Sequence, residues 1–112
     1  MDELTNESKF VLETLYKEYL DKINNGISKS EAKNMNSGQT IHDALFPYMM
    51  YEDFLDSCRE LGKNDFLDNK WASSKPFRVC LTDKSIVEME NKFANNIKKI
   101  TNSILSLKKL LF

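Results

Sequence analysis

Three side chains in this sequence could act as nucleophile, base or metal ligand: the thiols of Cys58 and Cys80 and the imidazole of the single histidine, His42. A structural zinc site needs four ligands grouped in short spacings, and these three residues are widely separated. A nucleophile built from Cys58 and His42 is chemically conceivable, but no neighbouring motif would activate or orient either group. Each thiol is better interpreted as a small buried hydrophobe, above all Cys80 inside an apolar segment.

No phosphate-binding loop, metal-ligand cluster or catalytic constellation occurs elsewhere in the sequence. We therefore expect a protein that is not an enzyme and that carries no metal and no cofactor. Any function should come from a binding surface.

The length and composition of the chain indicate one folded domain spanning residues 1–112. Its 112 residues are enough for one hydrophobic core and too few for two, and 41% hydrophobic with 29% charged residues is typical of a globular protein. The acidic N-terminus lacks the basic and apolar regions of a secretory signal. No apolar run approaches the roughly 18 residues of a membrane span. We expect a cytoplasmic protein without a membrane partner.

The residue pattern in the first half of the chain predicts helices. Apolar residues recur at three- and four-residue intervals from Thr5 to Asn25, where Thr5 can cap the N-terminus and Gly26 can end the helix. Ser28 and Glu31 have the spacing of a capping box, which starts a short second helix. A short helix is predicted over Thr40–Phe46, and the third main helix is predicted from Tyr51, with Gly62 placed to cap its C-terminus.

Two short apolar segments follow, Asp65–Trp71 and Phe77–Leu81, and the residues between them are typical of a turn. In the second segment, hydrophobic residues alternate with Arg78 and Cys80, so one face can lie on a core. The predicted fold class is mostly α with a small two-stranded antiparallel β-hairpin.

The last 29 residues, Lys84–Phe112, carry apolar residues at heptad-like intervals. One unbroken helix of this length would measure about 43 Å and would extend beyond a domain whose radius of gyration is about 13 Å. Its exposed apolar stripe predicts a two-fold homodimer. The alternative is a break near Asn95–Asn96 that folds the helix back onto the core of a monomer. The predicted dimer interface comprises Phe93, Ile97, Ile100, Ile104, Leu107 and Leu111.

This order of elements resembles the winged-helix family of helix-turn-helix proteins, in a small prokaryotic or phage form with a long C-terminal helix. The segment Phe77–Ile86 is similar to the end of a wing passing into a closing helix, and Arg59–Lys63 is similar to the end of a recognition helix. The resemblance implies a transcriptional regulator that binds DNA as a dimer, with the third main helix in the major groove and the hairpin against the backbone or minor groove.

Such binding requires basic residues on the docking face, because phosphate neutralisation supplies much of the affinity. The segment Tyr51–Lys63, which holds the third main helix, instead contains four acidic residues and two basic ones, and the net charge of the chain is −1. The alternative is a protein-interaction module of phage or mobile-element origin that derives from a winged helix and binds no nucleic acid. Arg59 is the best candidate for reading guanine. The candidate DNA-binding residues are Arg59, Lys63, Lys70, Lys75 and Arg78.

Aromatic and methionine residues offer a second kind of surface. Trp71 is expected to lie over the hairpin, although an exposed ring could stack on a partner. The run Tyr48-Met49-Met50-Tyr51 is expected in the core, and a partner-binding surface is the alternative because Met and Tyr are enriched at interfaces.

Overall fold

The first helix, α1 (Asn6–Asn24), is the buried axis around which the other helices pack in this computed structural model, which describes residues 3–112. Thr5 caps it as predicted, since the Ser8 amide donates to Thr5 Oγ1 at 3.2 Å. Gly26 follows its end with φ +88°, a conformation that glycine adopts without strain. Its buried aliphatic and aromatic side chains include Phe10, Leu12, Leu15 and Tyr16.

A short helix, α2 (Lys29–Ala32), begins at Ser28, whose side chain accepts from the Glu31 amide. The chain then becomes extended and pairs with the second hairpin strand. The Met35 amide donates to the Val79 carbonyl and the Val79 amide donates to the Asn36 carbonyl, both at 2.8 Å. This pairing leaves α2 only four residues long.

The next two helices, α3 (Gly38–Leu45) and α4 (Tyr51–Lys63), are joined by a tight connection. His42 Nε2 donates to the Met49 carbonyl at 2.6 Å and so ties α3 to the residues that lead into α4. Phe54 of α4 packs against Phe46, with ring centroids 5.3 Å apart. The two predicted helices are therefore present and share a core.

The predicted antiparallel hairpin is confirmed as β1 (Leu67–Ala72) and β2 (Lys75–Leu81), which pair Leu67 with Leu81. A two-residue turn connects the strands, and both of its serines have positive φ, as the tight hairpin turns require. The prediction of a buried Cys80 is wrong. Its side chain is half-exposed, because it lies on the opposite face of the strand from the buried Val79 and Leu81.

The C-terminal segment forms two helices, α5 (Asp83–Phe93) and α6 (Ile97–Leu111). Ala94 and Asn95 take left-handed backbone angles, with φ +49° and +58°, and the side chain of Asn96 then caps α6. The prediction of one continuous helix from Lys84 to Phe112 is wrong, and the break lies where the alternative placed it.

After this break, α6 runs back along α1 in the antiparallel direction. Near its start, the Tyr16 hydroxyl donates to Asn95 Oδ1 at 2.6 Å, and at its end the rings of Phe10 and Phe112 are 5.9 Å apart. Phe93 and Ile100, which were predicted to lie in a dimer interface, are 2% and 0% exposed in the core of the single chain. The other four residues predicted there, Ile97, Ile104, Leu107 and Leu111, are partly buried against the same core.

The overhanging apolar helix from which a dimer was predicted is therefore absent from the described fold. The apolar stripe is covered by α1 of its own chain, which needs no second molecule. Among residues 3–112, no helix is both long enough and apolar enough to cross a membrane.

Candidate nucleic-acid interface

An open groove of about 560 Å³ separates the C-terminal half of α4 from strand β1. Two of the predicted DNA-binding residues, Arg59 and Lys63, line it from the helix. Trp71 lines it from the strand. The groove is bordered by Arg59, Gly62, Lys63, Asp65, Leu67, Asp68, Asn69, Trp71 and Thr82.

Arg59 connects the two sides of this groove. Its guanidinium carbon lies 5.1 Å from the centre of the Trp71 ring, and one of its nitrogens donates to Asp56 at 2.9 Å. Trp71 remains 37% exposed, which is more than the expected packing over the hairpin would leave. A cation over an indole ring in a partly solvated site gains about 0.5–1 kcal/mol. The contact is weak enough for either group to turn toward a bound partner.

The floor of the groove is built by a close approach of α4 and β1. Asn69 Nδ2 donates to the Cys58 carbonyl at 2.9 Å. A Cβ atom at Gly62 would lie 2.9 Å from the same nitrogen, so a larger residue there would displace the Asn69 side chain. The prediction that Gly62 caps the helix is wrong, because α4 continues to Lys63 and Gly62 has no positive φ. The role of Asn69 was not predicted. The signal for Asn69 was a polar residue at an inward-facing position of a strand.

The remaining basic residues lie on the hairpin. Lys70 and Arg78 are paired across the two strands, on the face opposite to Asn69 and Val79, and Lys75 follows the two-residue turn. Lys70 is 3.5 Å from Asp68. The fold thus divides the five predicted residues into two groups: Arg59 and Lys63 line the groove from α4, whereas Lys70, Lys75 and Arg78 lie on the hairpin outside the groove lining.

Among the residues that the structure describes, three of these five have no ion-pair partner. Within residues 3–112, Lys63, Lys75 and Arg78 form no ion pair, and all three side chains are exposed. They need no rearrangement before meeting an anionic partner.

The acidic residues of α4 do not all face the groove. Glu60 is directed toward the start of α1, where it accepts hydrogen bonds from the Thr5 amide at 2.9 Å and from the Thr5 and Ser8 hydroxyls, both at 2.8 Å. Burial raises the pKa of Glu60, but these three hydrogen bonds outweigh burial, and the net effect lowers that pKa. Glu60 is therefore a charged anchor between two helices. Glu52 and Asp53, in the first turn of α4, are exposed.

The thiol and imidazole chemistry considered from the sequence has no support in the geometry. Burial raises the pKa of the Cys58 thiol to about 12, which suppresses the thiolate. His42 is bonded to the Met49 carbonyl and to Asp43 at 3.0 Å. In the part of the chain that the structure describes, no group of three or more histidine, cysteine or acidic residues could hold a metal ion.

A second surface lies at the connection between α3 and α4. Tyr48 and Met50 are 74% and 72% exposed, so the prediction that this run belongs to the core is wrong for these two residues. Met49 is buried and Tyr51 is half-buried, as expected. Lys108 of α6 lies 4.9 Å from the centre of the Tyr48 ring. Tyr48 and Met50 point outward because not every residue of so short a connection can reach the core.

Comparison of the chain with protein-family models, with curated proteins and with solved structures finds no match.

Proposed function

We propose that this protein binds duplex DNA through the C-terminal half of α4 and the β1–β2 hairpin, as a small regulator of the winged-helix type. One observation carries the proposal: a groove with Arg59 and Lys63 on its helical wall has a half-exposed Trp71 on its strand wall. Basic and aromatic side chains that are separated in sequence thereby line one groove, where a single ligand could contact them all.

The order of the elements also supports this proposal. Helices α3 and α4, joined by a tight connection and followed by an antiparallel hairpin, match the arrangement in which winged-helix proteins place a helix in the major groove and a wing along the backbone. In that orientation the sugar-phosphate backbone of one DNA strand would pass between α4 and β1. Arg59 would then exchange Asp56 for a phosphate or for the two major-groove acceptors of guanine.

The charge of the surface sets the expected strength of binding. Besides the five basic side chains, the surface carries Asp56, Asp65 and Asp68, and the first turn of α4 adds Glu52 and Asp53. The acidic N-terminal turn of α4 would repel phosphates, so the C-terminal half must face the backbone. We expect weak, strongly salt-dependent binding to random DNA, with any tight binding reserved for a specific site.

Replacing Lys63, Lys75 and Arg78 together with alanine is expected to weaken binding to duplex DNA and to flatten its salt dependence. The slope of log K against log salt is negative, and each lost phosphate contact reduces its magnitude by about 0.9. Three lost contacts therefore reduce the magnitude by up to about 2.7. The measurement is fluorescence anisotropy of a labelled random duplex, titrated at several salt concentrations between roughly 50 and 200 mM.

The matched control replaces three exposed lysines of α6, Lys98, Lys99 and Lys109, with alanine. Because it removes the same total charge from another element, it should keep most of the affinity and of the slope. Absence of binding by the unmodified protein at the lowest salt concentration would remove the proposal, and equal losses in both triple variants would reduce it to unspecific attraction.

A second candidate function is protein recognition without nucleic acid, and the exposure of Tyr48 and Met50 is the observation that favours it. The two functions predict different sensitivities. Replacing Tyr48 and Met50 with alanine should leave the DNA titration unchanged if the groove binds DNA, because these residues lie outside the groove. Absence of DNA binding would favour protein recognition over the first proposal.

A further inference from the structure

The connection between α5 and α6 holds a helix break without a helix-breaking residue. Ala94, Asn95 and Asn96 contain neither glycine nor proline, yet Ala94 has φ +49° and ψ +38°. Alanine is the best helix former and has no side-chain hydrogen bond that would favour the left-handed region. Such a residue populates the left-handed conformation roughly five to thirty times less than the right-handed one. Ala94 therefore favours a straight helix through the break.

The apolar pattern also continues across the break. The seam from Ile86 through Phe93 to Ile97 and onward keeps the spacing of one helix face, although the backbone turns between Phe93 and Ile97. A segment that only had to turn back as a separate helix would not need this common phase. The sequence is compatible with a broken and with a continuous helix.

A continuous helix could not stay on its own domain. Residues 83–111 in one helix would measure about 43 Å, and the longest dimension of the folded chain is 37 Å. The half that contains α5 is fixed, because Ile86 and Met89 are buried and Lys92 forms an ion pair at 3.0 Å with the fully buried Glu13 of α1. Straightening would thus detach α6 from α1 and carry it into solvent.

We infer that α6 can be exchanged between two copies of this chain, with residues 94–96 becoming helical and each α6 packing on the α1 of the other copy. Every apolar contact between α6 and α1 is recreated in such a dimer, because the partner offers an identical α1. The difference between the two states is therefore concentrated in the hinge. This proposal is independent of DNA binding.

Three interactions hold the broken form. Asn95 tolerates the left-handed region better than most residues, and its side chain accepts from the Tyr16 hydroxyl. The side chain of Asn96 accepts from the Lys99 amide at 3.1 Å and so starts α6 as a new helix. Against these, only Ala94 resists the turn, and the balance can be shifted in either direction by substitution.

The test compares two hinge variants with opposite expected effects. Ala94→Gly relieves the left-handed residue and should lower the dimer association constant by roughly 25- to 900-fold, the square of the factor for one hinge, because each dimer contains two hinges. The double variant Asn95→Ala, Asn96→Ala removes the left-handed preference and the cap, so it should raise the dimer population. Sedimentation velocity is recorded after the proteins have been held at high micromolar concentration and warmed to allow exchange.

Exchange is distinguished from simple side-by-side association by one intramolecular distance. Nitroxide labels on Val87→Cys and Lys109→Cys, in a Cys80→Ser background and diluted with unlabelled protein, report the separation within one chain. Since Val87 is exposed, its label should not disturb the core. A continuous helix places the two labelled backbone positions about 33 Å apart, and the Ala94→Gly monomer supplies the shorter reference distance.

A dimer of the double variant that shows the long distance supports the proposal. A double variant that remains monomeric after warming would overturn it, as would a dimer whose label distance equals that of the Ala94→Gly monomer. If the double variant fails to fold by circular dichroism, Asn96→Ala alone is measured and judged by the same two outcomes.

Discussion

Ile100→Asp is expected to be the most damaging single substitution in α6, with a loss of about 4 kcal/mol or more in the free energy of unfolding. Ile100 is completely buried between α6 and the rest of the core. The change removes the burial of a large aliphatic side chain and places a carboxylate in the hydrophobic core. Thermal unfolding followed by circular dichroism should show a midpoint lowered by roughly 15 °C or more.

The matched control is Leu105→Asp, in the same helix at a position that is 50% exposed. It introduces the same side chain but displaces no core residue, so it should cost about 1 kcal/mol or less. If α6 extended away from its own domain, Ile100→Asp and Leu105→Asp would have similar small effects on a monomer. Equal stabilities of the two variants would therefore contradict the folded-back position of α6.

Phe54→Ala is expected to cost about 3–5 kcal/mol, because it removes the aromatic ring that joins α4 to α3. The ring of Phe54 is fully buried and lies 5.3 Å from Phe46 and 5.7 Å from His42, measured between ring centres. The cavity cannot close without moving the connection between the two helices. Chemical denaturation monitored by circular dichroism measures the loss.

Tyr48→Ala is the corresponding control, since Tyr48 is also aromatic and lies in the connection, but is exposed. Its expected effect is about 0.5 kcal/mol. A small effect of Phe54→Ala would mean that α3 and α4 do not share a core. The groove between α4 and β1 would then lack a fixed helical wall.

Local chemistry predicted the ends of helices well. Thr5, Ser28 and Gly26 act where their types indicate, because a cap depends on a hydrogen bond or a backbone angle within a few residues. The hairpin was predicted for the same reason, since a short turn between two apolar segments is a local feature.

The break in the C-terminal segment could not be predicted with the same certainty. Its key residue, Ala94, is a strong helix former that is held in a left-handed conformation by the tertiary structure. Whether the apolar stripe is covered by α1 or by another chain depends on long-range packing. The same apolar residues would be buried in both arrangements, so their spacing does not distinguish them. The sequence therefore left two arrangements open.

The basic residues of the candidate site were found from the sequence, but their grouping was not. Arg59 and Trp71 come together because Asn69 and Gly62 allow β1 to approach α4 closely. The absence of a side chain at Gly62 leaves room for the Asn69 amide, whereas the sequence pattern indicated only a helix cap at Gly62. The exposure of Tyr48 and Met50 likewise follows from the path of the connection and not from their hydrophobicity.

The central claim is that duplex DNA occupies the groove between α4 and β1, and the emission of Trp71 tests it most directly. Trp71 is the single tryptophan of the chain and lines the groove, so its fluorescence reports this site without an added label. Titration with random duplex DNA at low salt is expected to quench or shift that emission, to reverse when salt is added, and to weaken in the variant lacking Lys63, Lys75 and Arg78. Unchanged Trp71 emission at DNA concentrations that saturate binding by anisotropy would contradict the claim, because DNA would then be bound elsewhere.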